Sequence, residues 1–231
     1  MVITIDGPSG VGKTVVAWRV ATVLGFDLLD TGAMYRAIGL AALRRQSNLD
    51  DPKELLYVAR HAHISFDWTQ RPPVLILGGE VVEKMLRTPE CSDAASKVAV
   101  VEDVRKLLVD QQRAIARERG DVVSEGRDQG SVVFPEALLK IFLKADLDIR
   151  VDRRLSQLRR AGVTLDRVTL RRQMAERDKR DEEREVAPLK PTPDARIVDS
   201  THLTEDHVVD TIVRAARERL PITSHPTSEP H

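Results

Sequence analysis

Residues 6–14 read Asp6-Gly7-Pro8-Ser9-Gly10-Val11-Gly12-Lys13-Thr14, and they come directly after the apolar run Val2-Ile3-Thr4-Ile5. The spacing is G-x-x-x-x-G-K-[ST], and its position matters more than its letters. A strand ending in this loop, with a helix starting at about Lys13, aims several backbone N–H groups at one spot. Those donors, the helix N-terminus and a lysine ammonium together hold the β- and γ-phosphates of a nucleotide. Gly7, Gly10 and Gly12 let the backbone pass close to the anion, where a Cβ would collide. Thr14 offers a hydroxyl to Mg²⁺. A glycine-rich turn that binds nothing is the bland alternative, and the strand–loop–helix order argues against it.

The rest of the chain extends that first unit. Val2–Ile5, Asp27–Leu29, Asp121–Ser124, Leu139–Leu143 and Ala195–Val198 read as buried parallel strands. Helical spacing over Lys13–Leu24, Tyr35–Arg44 and Val101–Arg119 lies between them. Such alternation predicts an α/β fold, a five-stranded parallel sheet with helices on both faces. Ligands then bind beyond the carboxyl ends of the strands. Thr31-Gly32-Ala33-Met34-Tyr35-Arg36 comes after the second strand and Glu125-Gly126-Arg127-Asp128 after the third. Residues 61–88 differ: His63–Trp68, Val74–Leu77 and, after Gly78-Gly79, Glu80-Val81-Val82 predict a small antiparallel β insert. His61 and His63 alternate as in a strand and read as surface residues. From Asp146 to Arg184 the chain is helical and charged, broken by Ala161-Gly162-Val163-Thr164 into two helices. A charged hairpin is ordinarily a solvated face. Beside a phosphate loop its arginines gain a second use, as mobile cations around a migrating phosphoryl group.

Composition narrows the classes. Lys+Arg and Asp+Glu are 36 each, so there is no basic excess for a nucleic-acid polymer. Cys91 is the only cysteine, which excludes an intramolecular disulfide and fits a reducing cytoplasm. It is expected to be an inert, half-buried thiol. No apolar stretch reaches the roughly 18 residues of a membrane span, and the N-terminus enters a strand at once, without a signal peptide. The length of 231 residues suits a single domain over 1–220, with a polar, proline-rich tail at 221–231 expected to be disordered.

The loop identifies a donor nucleotide but not an acceptor. A GTPase would need a guanine-reading N-K-x-D, which is absent, and a motor would need more chain. A small-molecule kinase remains. Arg36, Arg127, Arg177 and Arg184 fall at strand ends or at the edge of the charged hairpin. Guanidinium forks match phosphate oxygens, so converging arginines predict a phosphorylated acceptor. Such a phosphate has a second pKa of about 6. It is already a nucleophilic dianion at neutral pH and needs no general base. The protein has only to align two anions and neutralise their repulsion.

Four segments carry a resemblance. They are Ile3-Thr4-Ile5-Asp6-Gly7-Pro8-Ser9-Gly10, Asp30-Thr31-Gly32-Ala33-Met34-Tyr35-Arg36, the stretch from Gly126 to Pro135, and the stretch from Arg177 to Leu189. In order and spacing, over about residues 2–220, they resemble bacterial cytidylate kinases, a branch of the P-loop nucleoside-monophosphate (NMP) kinases. The resemblance implies a three-layer fold and phosphoryl transfer from ATP to CMP or dCMP with Mg²⁺, by a monomer. It implies a core of 1–35, 100–148 and 186–220, an NMP-binding insert at about 36–99, and a helical lid at about 149–185. Carried over, Gly7, Pro8, Ser9, Gly10, Val11, Gly12, Lys13, Thr14 and Val15 wrap the ATP phosphates. Arg36 and Arg127 grip the acceptor phosphate. Asp128, Arg105 and Arg184 face the cytosine, helped by Thr31. Ser96, Arg177 and Asp181 lie near the sugar. Arg153 and Arg154 close with Arg177 over the transferring group, with Lys13 and Arg127 on its other sides.

Chemistry supports the base assignment separately. Cytosine carries an amino donor where uracil carries a carbonyl, and a carboxylate such as Asp128 accepts from the amine. The competing readings are structural: Asp128 paired with Arg127, Asp181 paired with Arg177 or Arg184 along one helix, and Arg105 on a helix surface. Two positions depart from the family pattern. Its loop often ends Gly-Lys-Gly-Thr or Gly-Lys-Ser-Thr, whereas Val15 here has no hydroxyl, so the α-phosphate side should bind less tightly. Ser131 replaces a usual threonine and keeps the hydroxyl. A kinase for another pyrimidine monophosphate (UMP) and a non-catalytic nucleotide-binding module are the rival functions. The hairpin arginines argue against the second.

Overall fold

A computed structural model describes residues 1–220; the tail expected to be disordered lies outside the described residues. Five parallel strands form the main sheet: β1 (Val2–Asp6), β2 (Asp27–Asp30), β6 (Val122–Gly126), β7 (Leu139–Lys144) and β8 (Arg196–Asp199). Their order is β2-β6-β1-β7-β8. Between β2 and β6, β3 (Ile64–Asp67), β4 (Val74–Leu77) and β5 (Glu80–Val81) form a separate antiparallel sheet. Strand ends differ from the sequence expectation by one or two residues. Asp6, Asp30 and Gly126 extend their strands because parallel pairing carries β1, β6 and β2 together to one edge, with Asp6 opposite Gly126 and Asp30 opposite Glu125.

That pairing explains the apolar runs. Ile3 and Ile5 of β1 are wholly buried on one face, and Thr4 is wholly buried on the other. A strand covered on both sides is read as a nearly continuous apolar segment. On the first face α1 (Lys13–Leu24) and α8 (Glu205–Arg217) add Val16, Val20, Val208 and Ile212 to Ile3, Ile5, Leu139 and Ile141. On the second, α2 (Thr31–Arg44), α3 (Pro52–His61), α4 (Pro89–Val98) and α5 (Glu102–Arg119) gather Met34, Ile38, Leu55 and Leu108. Each such side chain stabilises by about 1.5–3 kcal/mol. Cys91 sits in this second core, 1% exposed, so it is more deeply buried than the sequence suggests. Gly39 permits the close α2–α4 approach, since a Cβ there would lie 2.9 Å from the Ala95 backbone nitrogen.

The charged segment forms two helices, α6 (Leu147–Arg160) and α7 (Arg167–Glu183). They close a small core of their own from Val151, Leu155, Leu158, Leu170 and Met174. No helix of the described residues is long and apolar enough to cross a membrane. His61 and His63 are exposed, but they do not alternate along a strand: His61 ends α3 and His63 precedes β3.

Candidate active site

The connections from the neighbouring strands β1 and β6 run in opposite directions, from β1 to β2 on one side and from β6 to β7 on the other. A crevice at such a switch point is where α/β sheets bind ligands. Here it is a cleft of about 330 Å³, lined from every quarter of the chain: the phosphate loop, the start of α2, α4, α5, the loop after β6, and the α6–α7 hairpin.

The phosphate loop supplies one wall. Gly7 runs so close to β7 that a Cβ would lie 2.3 Å from the Leu143 carbonyl oxygen. Gly12, left-handed at φ 98°, starts α1 with no side-chain cap. α2, α3, α4, α7 and α8 each begin on an Asp or Thr that accepts from a first-turn N–H, whereas α1, α5 and α6 have no such cap. The open donors at α1 are therefore available to an anion. Lys13 Nζ folds back onto its own loop, donating to the Gly7 and Pro8 carbonyls at 2.9 Å each. Burial first, then the neighbouring Arg127 charge, push this ammonium down to about 7. Ser9, Gly10, Gly12, Lys13, Thr14 and Val15 line the cleft, whereas Val11 packs its side chain into the core.

Oxygen ligands for a cation lie alongside. Thr14 Oγ1 donates to Glu125 Oε1 at 2.7 Å. Burial and the adjacent Asp30 carboxylate push Glu125 up to about 7. A hydroxyl and two carboxylates make an all-oxygen set that suits Mg²⁺. Among the described residues no group of three or more His, Cys, Asp or Glu could hold a metal. Mg²⁺ beside a nucleotide is usually held by one or two protein oxygens together with phosphate oxygens and water. Glu125 and Asp30 were not singled out by sequence. The signal was present in Glu125, an acid ending an apolar strand that pairs with the phosphate-loop strand.

Arginines form the facing wall. Arg36 pairs with Asp30 at 2.9 Å, and its buried Nε has no partner. Arg127 Nε donates to Asp181 Oδ2 at 2.9 Å. Arg154 donates to the Arg87 carbonyl at 3.2 Å, and Arg177 Nε is buried without a partner. Burial first, then the charges of Arg127, Arg36 and Arg154 against the pull of Asp181, lower Arg177 to about 10. Guanidiniums so destabilised by one another leave room for an anion. Arg153 stands apart: it donates to the Ser200 carbonyl at 2.6 Å and is absent from the cleft wall. Arg87 lines the cleft and was missed by sequence, because it lies in a short 3-10 turn, Met85–Arg87, with no motif around it.

The far end gathers buried polar side chains. Arg105 is 3% exposed, not a surface residue, and its Nη2 hydrogen-bonds Asp128 Oδ2. Arg184 Nη2 stands 3.8 Å from Asp128 Oδ1 and makes no hydrogen bond. Asp128 thus pairs with Arg105 rather than Arg127, and Asp181 with Arg127 rather than its own helix. The Arg105 guanidinium carbon lies 5.6 Å from the centre of the Tyr35 ring. Ser96 Oγ is also buried without a partner. Orphaned buried donors of this kind mark places where a ligand completes the hydrogen bonding. Thr31 lines the cleft, but its hydroxyl is committed to the Glu125 carbonyl at 2.7 Å.

Comparison with known proteins bears on this arrangement. A family model described as cytidylate kinase matches residues 3–218. Cytidylate kinase 1 of Haemophilus influenzae is 44% identical over 210 residues, 91% of this chain and 90% of that protein. The cytidylate kinase of Klebsiella pneumoniae is 42% identical over 221 residues, 96% and 97% of the two chains. The crystal structure of an uncharacterized protein from Eubacterium ventriosum superposes with a TM-score of 0.53 at 20% identity, covering 95% of this chain and 99% of that one. At that identity the likeness concerns the fold alone.

Proposed function

We infer the activity from family and site together: the chain belongs to the cytidylate kinase family, and its cleft holds an uncapped phosphate loop opposite a cluster of under-neutralised arginines. It transfers the γ-phosphoryl group of ATP to the phosphate of CMP, giving CDP and ADP. The observation that carries this reading is the arginine cluster, because a module that merely binds ATP has no need of cations facing the γ-phosphate.

The donor phosphates take the open N–H groups of α1 and draw Lys13 off the Gly7 and Pro8 carbonyls. Arg36 and Arg127 orient the acceptor phosphate as a dianion. Its oxygen attacks in line, and no side chain accepts a proton. Arg154 and Arg177 neutralise charge on the migrating group. Asp128 accepts from the cytosine amine, while Arg105 and Arg184 donate to the ring acceptors. Ser96, Arg177 and Asp181 lie at the sugar, and dCMP, which carries the same base and phosphate, is a second acceptor. Thr14, with Glu125 and Asp30, would hold Mg²⁺, which would supply positive charge beside the phosphates.

In this reading residues 36–99 form the NMP-binding insert and 149–185 the lid, on a core of 1–35, 100–148 and 186–220. The protein works as a cytoplasmic monomer. An ADP-release assay with ATP and each of CMP, dCMP, UMP and AMP tests the assignment. CMP and dCMP should be turned over best. Equal or greater turnover of AMP overturns it, and no turnover of any acceptor favours a binding module.

A further inference from the structure

Both backbone hydrogen-bonding groups of one phosphate-loop residue are held by side chains of the helical hairpin. Ser9 N–H donates to Asp178 Oδ1 of α7 at 3.3 Å. The Ser9 carbonyl accepts from Arg150 Nη1 of α6 at 3.0 Å. The same Arg150 nitrogen bonds Asp178 Oδ2 at 2.5 Å, which closes a three-part ring between loop, α6 and α7. The ion pair is buried, with Arg150 7% and Asp178 8% exposed. Arg150 Nε is spent on the Ala145 carbonyl at 2.9 Å, at the base of α6. Packing reinforces the ring next door. A Cβ on Gly10 would lie 2.8 Å from Met174 Cε and 3.0 Å from the Arg150 carbonyl.

Replacing a buried ion pair by apolar residues is often neutral or stabilising, so stability alone is a poor reason for this one. Its geometry suggests another. Leu170, Met174, Asp178 and Asp181 form the buried stripe of α7. Arg177, beside Asp178, and Asp181, one turn on from Arg177, both line the cleft. Wherever Asp178 is anchored, those two side chains are aimed.

We propose that Arg150 and Asp178 are positioning residues that lock the hairpin to the phosphate loop through Ser9 and so set Arg177 against the reacting phosphates and Asp181 against Arg127. Opening the hairpin must then release Ser9 N–H and C=O to water, so loop conformation and hairpin position change together. The inference rests on the phosphoryl-transfer function.

The test is a kinetic cycle on the full-length protein with ATP and CMP. Asp178→Asn should lower kcat/KM for CMP by about tenfold or more, with most of the loss in kcat, because Arg177 and Asp181 meet the acceptor as well as the transferring group. In an Arg177→Ala background the same substitution should cost less than about threefold, since both act through one group. If Asp178→Asn fails to fold, the double replacement Arg150→Met with Asp178→Leu puts the same question with the charges removed as a pair. An Asp178→Asn penalty that persists in full without Arg177, or an unchanged kcat, overturns the positioning role. A wild type that releases no ADP with CMP instead overturns the function it rests on.

Discussion

Asp128 shows how much one side chain carries. It is buried between Arg105 and Arg184, whose spare donor lacks a partner. Its carboxylate can only accept, which favours an amine and repels a carbonyl. A site built to hydrogen-bond a group rejects an analogue lacking it strongly. Asp128→Asn keeps the shape but adds a donor. The ratio of kcat/KM for CMP over UMP should therefore fall by about tenfold or more, measured by ADP release. An equal loss for both acceptors would assign Asp128 a purely structural role. Val15 is the other informative residue. It lines the cleft 40% exposed, at a position where the family pattern carries a hydroxyl. A hydrogen bond to a charged group contributes about 1.5–3 kcal/mol, less at an exposed site. Val15→Thr should lower the KM for ATP by roughly three- to tenfold with the CMP KM unchanged; an unaltered ATP KM would show that the position does not meet the phosphates.

Among the elements, the π-turn Gln129–Val133 after β6 matters most. It holds Arg127 and Asp128 in place, and it is itself held by the first residue of the phosphate loop. Asp6 Oδ1 accepts from Gln129 N–H at 2.9 Å and Oδ2 from Gly130 N–H at 2.8 Å. Donor and acceptor loops thus share one buried carboxylate. Burial outweighs those bonds and raises Asp6 to about 6. An acid raised in the folded state binds a proton that the unfolded chain has released. Between pH of about 4 and 6, folding therefore takes up a proton, and stability falls as pH rises. The shift corresponds to about 2–3 kcal/mol. Thermal melts of wild type and Asp6→Asn from pH 4 to 7 should show the wild type losing ground up to pH of about 6 and then running parallel. A constant difference throughout would mean that Asp6 does not titrate there. The spacing of the phosphate loop made that loop legible, and so did the alternation of strands and helices. The π-turn was not legible, because nothing local requires it; it exists where Asp6 brings two N–H groups to one carboxylate from over a hundred residues away.

At the scale of the molecule, charge is balanced overall but not where it matters. Equal numbers of cationic and anionic side chains give zero net charge. Yet Arg36, Arg127, Arg154 and Arg177 line one cleft and raise each other's cost. Multivalent oxyanions should relieve that cost. Sulfate or inorganic phosphate should raise the melting temperature more than chloride at equal ionic strength, by linkage to binding. Arg177→Ala should shrink the difference. Equal shifts for all salts would indicate general screening rather than a site.

Residue order alone determined whatever depends on near neighbours: the phosphate loop, the five strands, the break in the charged hairpin, and a nucleotide-dependent kinase whose acceptor is itself a phosphate. Those features rest on glycine conformation, side-chain periodicity and charge type, all visible within a few residues. Partnership was a different matter. That Asp128 faces Arg105, that Asp181 takes Arg127, that Arg153 turns to Ser200, and that Glu125 stands beside Thr14 are long-range pairings set by sheet order and helix packing. An arginine's type says that it will meet an anion. Which anion it meets, and whether a donor is left over for a substrate, depends on what the fold buries against it.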